Sequence, residues 1–229
     1  MTLRPRSSSR PLGLLLAAVL LAGCGTTTTT TTKEGPVTTK DGFSLLTDAG
    51  VARIKDSRSA RFDLRDRVLT RADVGLDGDR LGPQVGAPGK PELDLELLGP
   101  DGTERVRTST FMVSFLRTDG PADSVTWFES YATRAEGDAA LGEAVEHWGL
   151  PRDTVDNWQE TVKLSSAEDT STSTVRTSYG PGLGTAGLVA EVTVRTEPDH
   201  EGETLEYEVY LAEKYYTEQS LEKLRGLRR

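Results

Sequence analysis

The sequence predicts an α+β domain in which a central cluster of about three helices covers one face of an antiparallel sheet, after a leader and a disordered Thr-rich tether. Three observations lead there. Segments that alternate apolar and polar residues lie on both sides of the middle of the chain. The middle itself carries apolar residues at spacings of three and four, and the first forty residues carry neither period past one short apolar run.

The first strand signal is Arg61–Val68, with Phe62, Leu64 and Val68 on one face. Ala72–Pro91 follows, rich in glycine and proline and without a period, and reads as a long surface loop. Glu92–Leu98 alternates Leu93, Leu95 and Leu97 with acids. Gly99-Pro100-Asp101-Gly102 is a turn, because proline presets one dihedral and glycine accepts positive φ. Glu104–Leu116, with Phe111, Val113 and Phe115 alternating, completes a predicted hairpin.

Three helices are expected next. Pro121–Ala135 has a stripe of Val125, Phe128, Ala132 and Ala135, with proline in the first turn. Asp138–Trp148 has Asp138 as its N-cap, Leu141, Ala144, Val145 and Trp148 on one face, and Gly149 as its stop. Asp153–Lys163 shows Val155, Trp158 and Val162. Strands resume with Thr172–Gly180, Leu188–Thr196 and Thr204–Ala212. Leu188, Ala190, Val192 and Val194 point inward in the second, and Leu205, Tyr207, Val209 and Leu211 in the third. Such alternation implies one wet face, the antiparallel habit. Thr217–Leu227 is a terminal helix.

The chain has 229 residues, 35% of them hydrophobic. Residues 43–229 are of a size that forms one domain and buries about 70% of the surface its unfolded chain exposes. Before them, Gly25 and seven threonines, Thr26–Thr32, lead through Lys33–Gly42 with no apolar period, so residues 24–42 read as a flexible tether.

Residues 1–23 have the three parts of a secretory signal: Arg4, Arg6 and Arg10, the apolar run Leu12–Leu21, and the small residues Ala22 and Gly23. The run is about half the ~20 residues that a membrane-spanning helix needs. Leu21-Ala22-Gly23-Cys24 is similar to the lipobox of bacterial lipoproteins. The resemblance implies that a diacylglycerol is transferred to the Cys24 sulfur, that cleavage falls between Gly23 and Cys24, and that the body sits on the extracytoplasmic face of the cell membrane. Two acyl chains hold a protein stably where one does not. Cys24 is the only cysteine, so the body has no disulfide, no thiol nucleophile and no thiolate metal site.

Charge narrows the partners. Without the three leader arginines, 24 basic residues face 36 acidic ones, a balance near −12. Phosphate backbones and anionic headgroups repel such a body, so nucleic acid is excluded as a partner and the lipid on Cys24 carries the membrane attachment.

Candidate sites are sparse. Gly182-Leu183-Gly184-Thr185-Ala186-Gly187 fits G-x-G-x-x-G, but a strand signal follows it where dinucleotide binding needs a helix, so it reads as a hairpin loop. Asp73, Asp77 and Asp79 are closely spaced oxygen donors without the rest of a calcium loop, and read as a solvated loop. His147 stands four residues after Glu143 near a helix end, where the dipole and the acid favour imidazolium. The other histidine, His200, lies in a predicted turn. Glu206 and Glu208 share the polar face of one strand and read as solvated. Trp127 and Tyr131, one helical turn apart at the edge of an apolar stripe, and Tyr210 on an outward strand face are candidate partner contacts. No nucleophile elbow or zinc-protease motif occurs, and no catalytic residue, metal or cofactor is expected. The resulting expectation is a lipid-anchored, non-catalytic binding or envelope-associated module whose partner is an envelope protein or a small ligand. The alternative is an envelope hydrolase using carboxylates and His147.

Overall fold

The computed structural model describes residues 36–78, 81–153, 155, 175–196 and 202–227, all within one compact unit, Pro36–Arg229. The leader, Cys24, the threonine run, Asp79 and His200 lie outside the described residues, as does nearly all of the helix expected at Asp153–Lys163. Among the described residues no helix is long and apolar enough to cross a membrane.

The elements run β1 (Thr39–Lys40), β2 (Phe43–Ser44), α1 (Asp48–Ser57), β3 (Ser59–Asp63), β4 (Gln84–Gly86), β5 (Leu93–Leu98), β6 (Thr103–Thr108), β7 (Thr110–Ser114), β8 (Ser124–Tyr131), α2 (Arg134–Trp148), β9 (Val175–Leu183), β10 (Val189–Thr196), β11 (Glu203–Tyr210), a 3-10 turn (Glu213–Tyr215) and α3 (Glu218–Leu227). A six-stranded sheet, in the order β4-β7-β8-β11-β10-β9, is antiparallel throughout. A smaller sheet, β3-β5-β6, pairs β3 parallel to β5 and β5 antiparallel to β6. The fold is α+β, with mostly antiparallel sheets.

One core joins the two sheets. Phe62 of β3 meets Phe111 of β7 edge-on, with centroids 5.7 Å apart. Leu95 and Leu97 of β5, Val113, Val125, Val192 and Val209 are all fully buried in the same cluster. Each such side chain contributes about 1.5–3 kcal/mol relative to exposure. α2 adds Leu141, Ala144, Val145 and Trp148 to this core. α3 packs instead on the opposite face of the large sheet, where Leu221 and Leu224 meet Leu183 and Val189. Of the three central helices expected over one face, α2 is formed, Pro121–Ala135 is not a helix, and nearly all of Asp153–Lys163 lies outside the described residues.

Several expectations are corrected. Pro121–Ala135 is not a helix: Ser124–Tyr131 is the central strand β8, hydrogen-bonded to β7 and β11. The run Val125-Thr126-Trp127-Phe128 is β-branched and aromatic, which suits a strand, and pairing on both edges outweighs the fortuitous helical spacing. The second expected helix begins a turn earlier, at Arg134, because Thr133 and not Asp138 is the N-cap. Thr133 accepts from the Glu136 N–H while the Glu136 carboxylate accepts from the Thr133 N–H, a reciprocal pair. Gly149 ends it at φ 62° as expected. Glu104–Leu116 is two strands broken at Ser109, one in each sheet. The loop Ala72–Pro91 contains β4, and Val74, Leu76 and Val85 in it are buried. Thr39–Lys40, assigned to the tether, pairs with Phe43–Ser44.

Candidate functional site

Where β6 and β8 part company, a cleft of about 680 Å³ opens between the two sheets and α2. Four consecutive residues of β6, Glu104–Arg107, form one wall; Ala140, Glu143 and His147 of α2 form the other; Trp127, Glu129, Tyr131 and Tyr207 form the floor. The positions follow from period. Trp127, Glu129 and Tyr131 alternate onto the inner face of β8, and Glu143 and His147 are one turn apart on α2.

The floor is locked by register. Trp127 and Tyr207 are directly opposed across β8 and β11, and their rings stack with centroids 5.2 Å apart at 2°. Trp148 closes on Trp127 from α2 at 6.0 Å. Glu129 is held by its neighbours: the Tyr131 hydroxyl donates to it at 2.6 Å and the Trp127 indole N–H at 3.4 Å. Burial, with the Glu129 carboxylate alongside, raises the hydroxyl pKa of both Tyr131 and Tyr207, so both remain neutral donors at physiological pH.

On the walls, His147 Nε2 lies 2.7 Å from Glu104 Oε2, joining α2 to β6. The sequence pointed to Glu143 as the partner of His147; the structure supplies Glu104 from another sheet. Glu143 is exposed, and its charge is felt by Tyr131. The cleft thus gathers Trp127, Tyr131, Glu143 and His147, and adds Glu104, Glu129 and Tyr207. Period two from Val106 would have put Glu104 on the inner face; the helical reading of Pro121–Ala135 hid Glu129. Trp127 is only 1% exposed, so it is a buried floor and not the exposed edge anchor expected.

The remaining candidates lie elsewhere. Tyr210 is on the opposite face of the large sheet, stacked on Tyr215 with centroids 4.2 Å apart. Glu206 there is not freely solvated but paired with Arg176 at 2.9 Å and with Arg195. Glu208 is likewise part-buried, and burial raises its pKa, reinforced by Glu191 and Glu206. Asp73 accepts from the Thr70 N–H and hydroxyl and neighbours Lys40; among the described residues no three acids, histidines or cysteines form a metal-binding group.

The glycines of G-x-G-x-x-G have a packing role in the β9–β10 hairpin. A Cβ at Gly182 would lie 2.4 Å from the Trp148 carbonyl oxygen, and one at Gly184 2.5 Å from Trp148 Cε3. They seat the last turn of α2. No family model, curated protein or solved structure matches this chain.

Proposed function

We propose that this chain is an exported lipoprotein, held at the membrane by the lipid on Cys24, whose body binds a ligand in the cleft between β6, β8 and α2 without transforming it. The observation that carries this reading is that two inner carboxylates of the cleft, Glu104 and Glu129, are already engaged by its other side chains. Glu129 is held by Tyr131 and Trp127, and Glu104 by His147, over a floor of stacked rings. A concave site with an aromatic floor and a few fixed polar groups has the usual form of a binding pocket. Four carboxylates line the cleft, Glu104, Glu129, Glu143 and Glu146, against the two guanidinium groups of Arg105 and Arg107, which favours a ligand that presents a positive group beside an apolar body.

The anchor and the cleft are tested separately. Mass spectrometry of the chain isolated from membranes should show a diacylglyceryl group on Cys24 and no leader. The same chain, in detergent micelles, should change its tryptophan fluorescence when titrated with fractionated envelope extract, and Tyr131→Ala with Glu143→Ala should lose the change. Equal responses in wild type and variant would remove the cleft from the account.

The contact of His147 with Glu104 supports a second reading, an envelope hydrolase, because a carboxylate-held imidazole can orient as a base. Among the described residues, no Ser, Thr or Cys lines the cleft to act as its nucleophile. Unchanged hydrolysis of any detected substrate by His147→Ala and Glu143→Gln would dispose of it.

A further inference from the structure

The wall of the cleft formed by β6 is a strand edge. The Asp94 N–H donates to the Arg58 carbonyl, and the Leu98 carbonyl accepts from Leu64, so Asp94, Glu96 and Leu98 turn their backbone groups toward β3. The intervening residues Leu93, Leu95 and Leu97 therefore bond to their partners Thr108, Val106 and Glu104 on β6. It follows that Thr103, Arg105 and Arg107 direct their N–H and C=O groups away from β5, and of these Arg105 and Arg107 line the cleft. Among the described residues, β5 is the only strand that pairs with β6.

We infer that the cleft admits an extended peptide from a partner protein, which adds to the edge of β6 that no other described strand pairs, as a fourth strand of the small sheet. The inference rests on the cleft being the binding place. Strands in a sheet lie about 4.8 Å apart, so a strand beside β6 enters the space in front of α2. The upper end is closed where the Thr108 hydroxyl meets the Phe128 carbonyl at 2.8 Å, which fixes where the added strand stops. Backbone bonds give such a complex its affinity, and alternate side chains its selectivity.

Charge specifies the alternation. Inward side chains of the added strand face Glu104, Glu129 and Glu143 above the Trp127–Tyr207 stack, which suits lysine or arginine. Outward ones run beside Arg105 and Arg107, already engaged by Glu96 at 2.8 Å and by Glu92 at 3.3 Å, which suits small polar residues. Those two arginines also guard this edge against indiscriminate pairing.

The test uses the full chain in detergent micelles and a pool of octapeptides with threonine at alternate positions and random residues between. Peptides bearing lysine or arginine at the random positions should be enriched, and should slow amide exchange at Arg105 and Arg107. Arg105→Pro deletes an N–H that the β5–β6 ladder does not use and should cut enrichment at least tenfold, whereas Arg105→Ala, which keeps the N–H, should cut it far less. Should Arg105→Pro fail to fold, N-methylation of the peptide decides: methyls on the amides facing β6 abolish binding, and methyls on the alternate amides do not. Equal enrichment on wild type and Arg105→Pro, equal effects of both methylation patterns, or Arg105 and Arg107 amides protected in the chain alone by self-association would each overturn strand addition. If peptides fail while the envelope ligand still alters the fluorescence, only strand addition falls; loss of both removes the cleft reading itself.

Discussion

Gly137, in the first turn of α2, lies directly against the buried side chain of Glu203 at the start of β11: a Cβ on Gly137 would stand 2.5 Å from Glu203 Oε2 and 2.9 Å from its Cβ. The contact brings the amino end of α2 down onto the sheet and buries a carboxyl that is 3% exposed by residue.

Replacing a helical glycine by alanine ordinarily stabilises by about 1 kcal/mol. At Gly137 the sign should reverse, because the Glu203 Cβ belongs to a paired strand and cannot retreat. Gly137→Ala is expected to destabilise by about 1–3 kcal/mol, read as a lower urea midpoint at unchanged m-value.

Glu203 itself should make stability depend on pH. Burial and nearby Asp138 raise its pKa above 4.5; Arg134 at 3.5 Å and Thr196 offset this only in part. The folded state therefore holds the proton to higher pH than the unfolded chain, and stability falls as pH rises from about 4.5 through the folded value. Glu203→Gln removes that dependence. Thermal melts should show the variant more stable than wild type at pH 7, with the difference closing toward pH 4.

The reciprocal cap of α2 gives a simpler expectation. Thr133→Ala removes the oxygen that accepts from Glu136 at 3.2 Å, and should cost about 1 kcal/mol in chemical denaturation. Glu136→Ala should give part of the same loss, and the double variant less than the sum.

Gly184→Ala drives a methyl group into the six-membered ring of Trp148, which is buried and faces the hairpin edge. Overpacking of this kind costs about 1–3 kcal/mol. A changed near-ultraviolet circular dichroism spectrum should accompany the loss of stability.

Much of the fold was legible where one face is buried and the other is not. Leu93, Leu95 and Leu97 in β5, and Leu205, Tyr207 and Val209 in β11, alternate as they should, and Gly149 and the stripe before it mark the end of α2. β8 was not legible because its inner face carries Glu129 between Trp127 and Tyr131, so the apolar period of two is broken where the cleft needs a carboxylate. That same substitution of function for pattern concealed the floor of the site. His147 was visible as a candidate, but its partner Glu104 is forty-three positions away, and no local spacing reports a contact between sheets. β4, only three residues long, is defined by its pairing with β7 and leaves no periodic trace.

The route of the chain between its sheets carries a last consequence. After β3 it contributes β4 to the large sheet and returns for β5; after β6 it crosses again into β7. The sheets are laced by the backbone as well as glued by their shared interior, so neither can peel away as an independent foldon. Amides on either side of the interior should open together in hydrogen exchange, and heat should melt both in a single step.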